Sequence, residues 1–85
     1  MSVTRLVLYT GTGALSRVAR ASVEALCEGP DFELEVVAVA SNLGRARSER
    51  ILATPALVRT HPGPRVHIVG DLRDLEGLRK RLGST

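Results

Sequence analysis

Two short apolar segments that favour β-strands, joined by a segment with helical periodicity, constrain the fold of this chain most. The first strand segment, residues 5–9, ends at the turn Gly11-Thr-Gly13. The second, residues 32–40, starts with alternating polarity and then becomes continuously apolar. About twenty residues connect them, and a helical connection of that length joins parallel strands by a right-handed crossover. The sequence therefore predicts a β-α-β unit at the start of the chain.

The connecting helix is predicted from an apolar stripe that ends before Gly29-Pro30, a typical helix stop. Residues three and four apart lie on one face of a helix, so the stripe predicts the face that packs on the sheet. Its members are Leu15, Val18, Ala19, Ser22, Val23, Leu26 and Cys27.

The middle of the chain predicts a short helix followed by a β-hairpin. Residues 41–50 favour the helix, with Asn42 as its N-cap. Residues 56–60 and 65–69 favour two strands. Residues 61–64 contain two prolines and a glycine, which cannot continue a strand ladder and therefore form the turn.

A last helix is predicted after Gly70, with Asp71 or Asp74 as its cap. The apolar residues of this helix recur at helical spacing and predict its buried face. They are Leu75, Leu78 and Leu82.

The element order β-α-β-α-β-β-α predicts a single thioredoxin-like domain over residues 1–85, with helices on both faces of a mixed four-stranded sheet. Thr54 and Pro55 open the third strand, where this fold keeps a cis peptide bond, and we predict a cis bond there. We expect Thr54, Pro55, Gly70 and Asp71 to define the fold. Redox members carry Cys-x-x-Cys where the first strand meets the first helix. This chain has Gly11-Thr-Gly-Ala-Leu15 there, which excludes thiol–disulfide chemistry.

Composition narrows the function. The chain has 85 residues, 44% of them hydrophobic, and a net charge of +3. Eleven of its twelve basic residues are arginine, but they are scattered, and two aromatic residues cannot form a base-stacking platform. We therefore expect no nucleic-acid partner. The single cysteine and the lack of a long apolar run predict a reduced, cytoplasmic protein without a membrane segment.

A small NADP-binding, Rossmann-like module is an alternative interpretation. Gly11-x-Gly13-x-x-Ser16 lies between a strand and a helix, and Arg45 and Arg47 suit a 2′-phosphate. However, Ser16 replaces the third glycine, and the acid that usually binds the ribose is absent. No catalytic arrangement of Ser, His, Cys or carboxylate residues stands out either. We expect no enzymatic activity, no metal and no cofactor.

One region resembles a known family. The motif Ile51-Leu-Ala-Thr-Pro55-Ala-Leu57, a proline-rich turn, and then Arg65-x-x-Ile-x-Gly70-Asp-Leu72 are similar to the signature of KaiB, the circadian clock family. Leu8-Tyr9 with the following turn and helix is similar to the family's opening. The resemblance implies a regulatory protein that binds the ring ATPase KaiC, competes there with a sensor histidine kinase, and sequesters KaiA in cyanobacterial clocks.

The resemblance also implies a metamorphic protein. Its alternative ground state is a tetramer with the order β-α-β-β-α-α-β, and its KaiC-binding state is a thioredoxin-like monomer. We expect the thioredoxin-like state to dominate here, because the basic residues 79–81 suit a helix C-terminus better than a strand. We expect Arg45, Arg47 and Arg50 to form the partner surface, since they lie beside the signature. A solvated helix face and a thioredoxin-like domain with an unrelated partner remain the alternatives.

Overall fold

The computed structural model describes residues 3–70 and 72–82 of the chain. Four strands and three α-helices alternate in the predicted order. A short 3-10 helix, Val39–Ser41, precedes the second α-helix. The bounds are β1 Thr4–Thr10, α1 Ala14–Leu26, β2 Phe32–Ala38, α2 Leu43–Ser48, β3 Ala56–His61, β4 Val66–Val69 and α3 Leu75–Arg81.

The strands form one mixed sheet in the order β2-β1-β3-β4. β1 and β2 are parallel, as the long helical crossover requires. β3 is antiparallel to both β1 and β4. The thioredoxin-like prediction is therefore confirmed. The Rossmann-like alternative is wrong for the fold, because its third strand would have to run parallel to the first.

Helices cover both faces of the sheet, as predicted, and each face carries its own core. Alternate residues of β1 point to opposite faces: Leu6 and Leu8 belong to the first core, and Val7 and Tyr9 to the second. α1 and α3 pack on the first core through buried side chains. These are Ala19, Val23, Leu26, Leu78 and Leu82.

The predicted stripe of α1 is partly wrong. Leu15 and Val18 are exposed, at 64% and 41% of their full accessible surface. Ser16 is buried instead, because its side-chain oxygen accepts a hydrogen bond from the Gly11 N–H at 2.8 Å. The first turn of α1 therefore faces the loop that precedes it, and only the later part of the stripe reaches the sheet.

Several predicted bounds need correction. β2 ends at Ala38 rather than residue 40, and α2 occupies six residues rather than ten. Asn42 does precede α2, but its side-chain amide donates to the Ala38 carbonyl oxygen at 2.8 Å instead of capping the helix. β4 begins at Val66, one residue later than predicted.

The cap of α3 is one of the two predicted residues. The Asp74 side chain accepts a hydrogen bond from the Gly77 N–H at 3.0 Å, which satisfies one of the free donors at the helix start. The other candidate cap, Asp71, lies outside the described residues. In the described part of the chain, no helix has the length and apolar character needed to cross a membrane.

Candidate functional site

The second face of the sheet is incompletely covered, and this leaves an open apolar surface. Two helices cover the first face, whereas only the six residues of α2 lie on the second. Residues directly opposite each other in an antiparallel pair share a face. Val69 pairs with Ala56 and His67 pairs with Val58, so both β4 side chains extend this second face toward the sheet edge.

A groove of about 360 Å³ lies beside the end of α2 on this uncovered part. Its apolar lining includes two strongly exposed side chains, Leu52 at 96% and Val69 at 51%. The complete lining is Glu49, Arg50, Ile51, Leu52, Ala53, Ala56, His67 and Val69. We call this concavity the α2–β4 groove.

The end of α2 places Arg50 in a conformation that glycine normally adopts. The Arg50 N–H donates to the Arg47 carbonyl oxygen at 3.0 Å, and the Ile51 N–H donates to the Ala46 carbonyl oxygen at 2.9 Å. This pair of bonds is the Schellman ending of a helix, in which the turning residue is left-handed. The φ angle of Arg50 is accordingly +60°. Arg50 is exposed and is one of the residues that line the α2–β4 groove, so it brings a positive charge to the groove's rim.

The three predicted partner-binding arginines are not equivalent. Arg45 forms a bidentate ion pair with Glu35 of β2, at nitrogen–oxygen distances of 2.5 and 2.6 Å. The hydrogen bond lowers the pKa of the Glu35 carboxyl and raises the pKa of Arg45. By contrast, the Arg47 and Arg50 guanidinium groups have no ion-pair partner within residues 3–70 and 72–82.

Glu49, the one acid that lines the groove, is already neutralised. Its carboxylate lies 2.7 Å from Arg65 Nη1 and 3.1 Å from His67 Nε2. His67 Nε2 also lies 3.3 Å from the Glu49 carbonyl oxygen. These contacts tie the end of α2 to β4 and leave the groove with the unpaired positive charge of Arg50.

Three of the four residues that the sequence predicts to define the fold, Thr54, Pro55 and Gly70, lie close together where β3 begins and β4 ends. The Thr54–Pro55 bond is cis, which confirms the prediction for it. The Gly70 N–H donates to the Pro55 carbonyl oxygen at 3.4 Å, and Gly70 has a φ of +108°, which favours glycine. Asp71, the fourth residue of this group, falls outside the described residues.

The glycine turn before α1 does not offer a phosphate site of the expected kind. Ser16 already accepts the hydrogen bond of the Gly11 N–H, which a phosphate oxygen would otherwise take. A β-carbon at Gly11 would stand 2.5 Å from Thr54 Oγ1, so this glycine is needed for the close approach of the 54–55 loop. Arg45, the proposed phosphate ligand, is engaged by Glu35.

The described part of the chain shows neither a reactive thiol nor a cluster of metal-binding side chains. Burial raises the pKa of the Cys27 thiol to about 11, which disfavours the nucleophilic thiolate near neutral pH. Within residues 3–70 and 72–82, no three His, Cys, Asp or Glu side chains are grouped closely enough to hold a metal ion.

The sequence alone does not predict the apolar part of the site. Its patterns place Leu52 in the signature motif and His67 and Val69 in a strand. One signal was available: Leu52 is a large apolar residue in the loop before Pro55, outside any predicted strand or helix. The exposure of Val69 could not be anticipated, because it depends on how far α2 extends over the sheet.

Comparisons with known proteins place these features in a family. The family model of the KaiB domain matches residues 8–83. The chain is 32% identical to the circadian clock protein KaiB3 of Synechocystis sp. strain PCC 6803, and the match covers 89% of this chain and 80% of that protein.

Solved structures agree with this assignment. The N-terminal domain of Synechococcus elongatus SasA superposes with a TM-score of 0.78 at 27% identity, covering 100% of this chain and 88% of that one. A mutant thioredoxin from Halobacterium salinarum has a TM-score of 0.82 at 24% identity, covering 98% of this chain and 74% of that one, and supports the fold alone. The family model, the KaiB3 relative and the thioredoxin-like fold agree, and the chain belongs to the KaiB family.

Proposed function

We propose that this KaiB-family protein is a non-enzymatic, circadian-clock-type regulator that binds a KaiC-type ring ATPase and modulates its phosphorylation cycle. Membership of a clock-protein family supports the regulatory role. A binding role rather than a catalytic one also suits a chain whose only cysteine is held in the unreactive thiol form near neutral pH.

We place the binding surface at the α2–β4 groove because of the position of Arg50. A non-glycine residue in the left-handed region costs roughly 1–2 kcal/mol relative to a helical conformation. Arg50 adopts this conformation at the rim of an open apolar groove and has no ion-pair partner in the described chain. A strained, unpaired charge beside exposed apolar surface is typical of a functional contact. Arg47 lies one helical turn earlier in α2 and has no ion-pair partner in the described chain either.

Charge reversal tests this surface. Biolayer interferometry should compare the wild-type chain with Arg50→Glu and Arg47→Glu against the immobilised, ATP-loaded KaiC-type ATPase of the same organism. Arg17→Glu on α1 is the matched control, because it changes the net charge equally on the opposite side of the sheet. We expect association to slow about tenfold for Arg50→Glu and to become less salt-dependent. Equal loss in the Arg17 variant, or no loss at Arg50, would remove the rim from the binding site.

We further propose that the thioredoxin-like monomer is the resting state of this protein. Helix α3 supports it, because Leu78 and Leu82 are buried against the first core while Arg79, Lys80 and Arg81 lie in its last turn, where the helix dipole favours positive charge. Backbone chemical shifts for residues 75–81 and sedimentation velocity test the proposal together. Helical shifts with a monomer support it, whereas strand shifts with a tetramer contradict it.

A sensor histidine kinase and KaiA are the further partners that family membership suggests. Competition for one surface is the simplest form of such regulation. If a thioredoxin-like domain of the kinase uses the same surface of the ATPase, adding that domain should displace this chain from the ATPase in proportion to its concentration. Simultaneous binding of both at saturation would exclude competition.

A further inference from the structure

The α2–β4 groove combines an apolar floor with a positive rim, and this combination specifies the chemistry of what binds there. We propose that the groove binds an acidic polypeptide segment of a protein partner, which inserts an aliphatic side chain between Leu52 and Val69. The inference deepens the proposed function and rests on it only for the identity of the partner. The chemistry of the segment follows from the groove itself.

Two aliphatic side chains of the α2–β4 groove are strongly exposed. Leu52 exposes 96% of its surface in the loop before β3, and Val69 exposes 51% on the edge strand. Both belong to one concave lining with Ile51, Ala53 and Ala56. Aliphatic side chains in a concavity gain about 25 cal/mol for each Å² removed from water when a complementary side chain enters. The groove therefore suits a protruding aliphatic residue.

The charged residues of the groove differ in whether they are paired within the chain. Glu49 is held by Arg65 and His67, so it does not offset the charge of the rim. Arg50 lines the groove and has no ion-pair partner in the part of the chain that the structure describes, and neither has Arg47, one helical turn earlier in α2. An occupant with carboxylates beside its aliphatic residue complements this rim. A second copy of the chain, docked by two-fold symmetry, would instead bring the same arginines together.

Two other anionic partners fit less well. Single-stranded nucleic acid is bound mainly by stacking of its bases on aromatic side chains, and the groove lining contains no Phe, Tyr or Trp. Its one imidazole, His67, contacts Glu49. An anionic membrane presents a broad, flat surface, whereas the groove is a concavity of about 360 Å³. A polypeptide segment supplies both a protruding side chain and adjacent carboxylates.

Peptide selection tests the chemistry without assuming the partner. Phage-displayed random peptides of about 12 residues should be selected on the full wild-type chain and counter-selected on Leu52→Ser. We expect enrichment of sequences in which leucine, isoleucine or valine is flanked by glutamate or aspartate. Enrichment of basic or aromatic sequences, or no enrichment over the counter-selection, overturns the inference. So does binding to phosphatidylserine vesicles that Leu52→Ser abolishes.

Matched variants then locate the site. The selected peptide should bind Leu52→Ser and Val69→Asp about tenfold more weakly, as expected for central contact residues. It should bind Leu15→Ser and Val18→Asp within about twofold of wild type, because these side chains are similarly exposed but lie on α1. Leu52 lies in a loop and is almost fully exposed, so its replacement leaves the fold intact. Equal losses in both pairs of variants contradict the inference.

The same variants separate this inference from the proposed function. If the ATPase binds all four variants like wild type, the function stands and the groove is not its docking site. If acidic aliphatic peptides bind the groove but the ATPase does not bind the chain, the inference stands and the proposed partner is wrong.

Discussion

The backbone N–H of Arg50 donates to the carbonyl oxygen of Arg47 at 3.0 Å, and this bond ends α2 with Arg50 in the left-handed region. The next residue, Ile51, completes the turn by donating to Ala46. A glycine would satisfy the same two hydrogen bonds without the steric conflict of a β-carbon. The chain therefore keeps a charged side chain at a position where stability alone favours glycine.

Arg50→Gly is expected to increase the stability of the fold while weakening its binding to the partner. The variant should raise the free energy of unfolding by about 1 kcal/mol, because the left-handed conformation no longer strains a β-carbon. The same variant should weaken binding to the KaiC-type ATPase, because the guanidinium at the rim is gone. Urea unfolding and interferometry measure the two effects. A variant that is less stable than wild type would show that the side chain of Arg50 holds the fold rather than a partner.

Gly11 and Thr54 should be energetically coupled. A β-carbon at Gly11 would meet Thr54 Oγ1 at 2.5 Å, while the Thr54 Cβ is 3.5 Å away. Gly11→Ala should therefore lower the free energy of unfolding by about 1–3 kcal/mol, in the range of overpacked sites. Thr54→Ala should recover most of this loss, because it removes the atom that clashes. Gly44→Ala, where nothing lies within 4 Å, is the control and should lose no stability. If the effects of Gly11→Ala and Thr54→Ala on the free energy of unfolding are additive, the close approach of Gly11 to Thr54 is contradicted.

Arg59 is expected to hold α3 on the sheet. Its guanidinium donates to the carbonyl oxygen of Leu82 at the end of α3, and to that of Pro64 at 3.2 Å. Charged hydrogen bonds of this kind contribute about 1.5–3 kcal/mol, so Arg59→Met should be destabilised by a similar amount. Amide hydrogen exchange at Leu78 and Leu82 should also accelerate. Arg59→Lys should restore little of the lost stability. The planar guanidinium donates to two separate carbonyl oxygens, whereas the single ammonium nitrogen of lysine lacks this geometry. Unchanged exchange in Arg59→Met would mean that apolar packing alone anchors α3.

The ion pair between Arg45 and Glu35 predicts a pH dependence. The hydrogen bond from Arg45 lowers the pKa of Glu35 in the folded chain, so the pair stabilises the fold above the ordinary pKa of a glutamate and loses this effect as the pH falls through the lowered value. Arg45→Gln should raise the pKa of Glu35 in a carbon-detected NMR titration. The stability difference between wild type and Arg45→Gln should therefore shrink toward zero in acid. A Glu35 titration that is identical in both proteins would show that the pair does not persist in solution.

The sequence predicted the order of the elements because each carries a strong local signal. The β-α-β start follows from two apolar runs and a long helical connection, and Gly29-Pro30 marks the end of α1. The cap at Asp74 was likewise predicted from its position before an apolar stripe. Local patterns were sufficient wherever the outcome depended on neighbours within one helical turn or one strand.

The predictions failed where contacts between distant parts of the chain determine the position of a side chain. Leu15 has helical spacing with the core residues of α1, yet it is exposed because Ser16 turns toward Gly11. Arg45, Arg47 and Arg50 look alike in sequence, but only the fold brings Glu35 of β2 next to Arg45. The groove depends on the length of α2 relative to the width of the sheet, which no local pattern reports.

Direct binding to the ring ATPase tests the proposed function. The wild-type chain and the ATP-loaded KaiC-type ATPase of the same organism should be mixed and followed by sedimentation velocity, with the phosphorylation state of the ATPase sampled over the same hours. We predict that the wild-type chain sediments with the ring and changes the time course of its phosphorylation. At the same concentration, Arg50→Glu should remain folded but bind the ring more slowly and change the phosphorylation less. A wild-type chain that sediments alone as a folded monomer, with the phosphorylation time course unchanged, would contradict the proposed function.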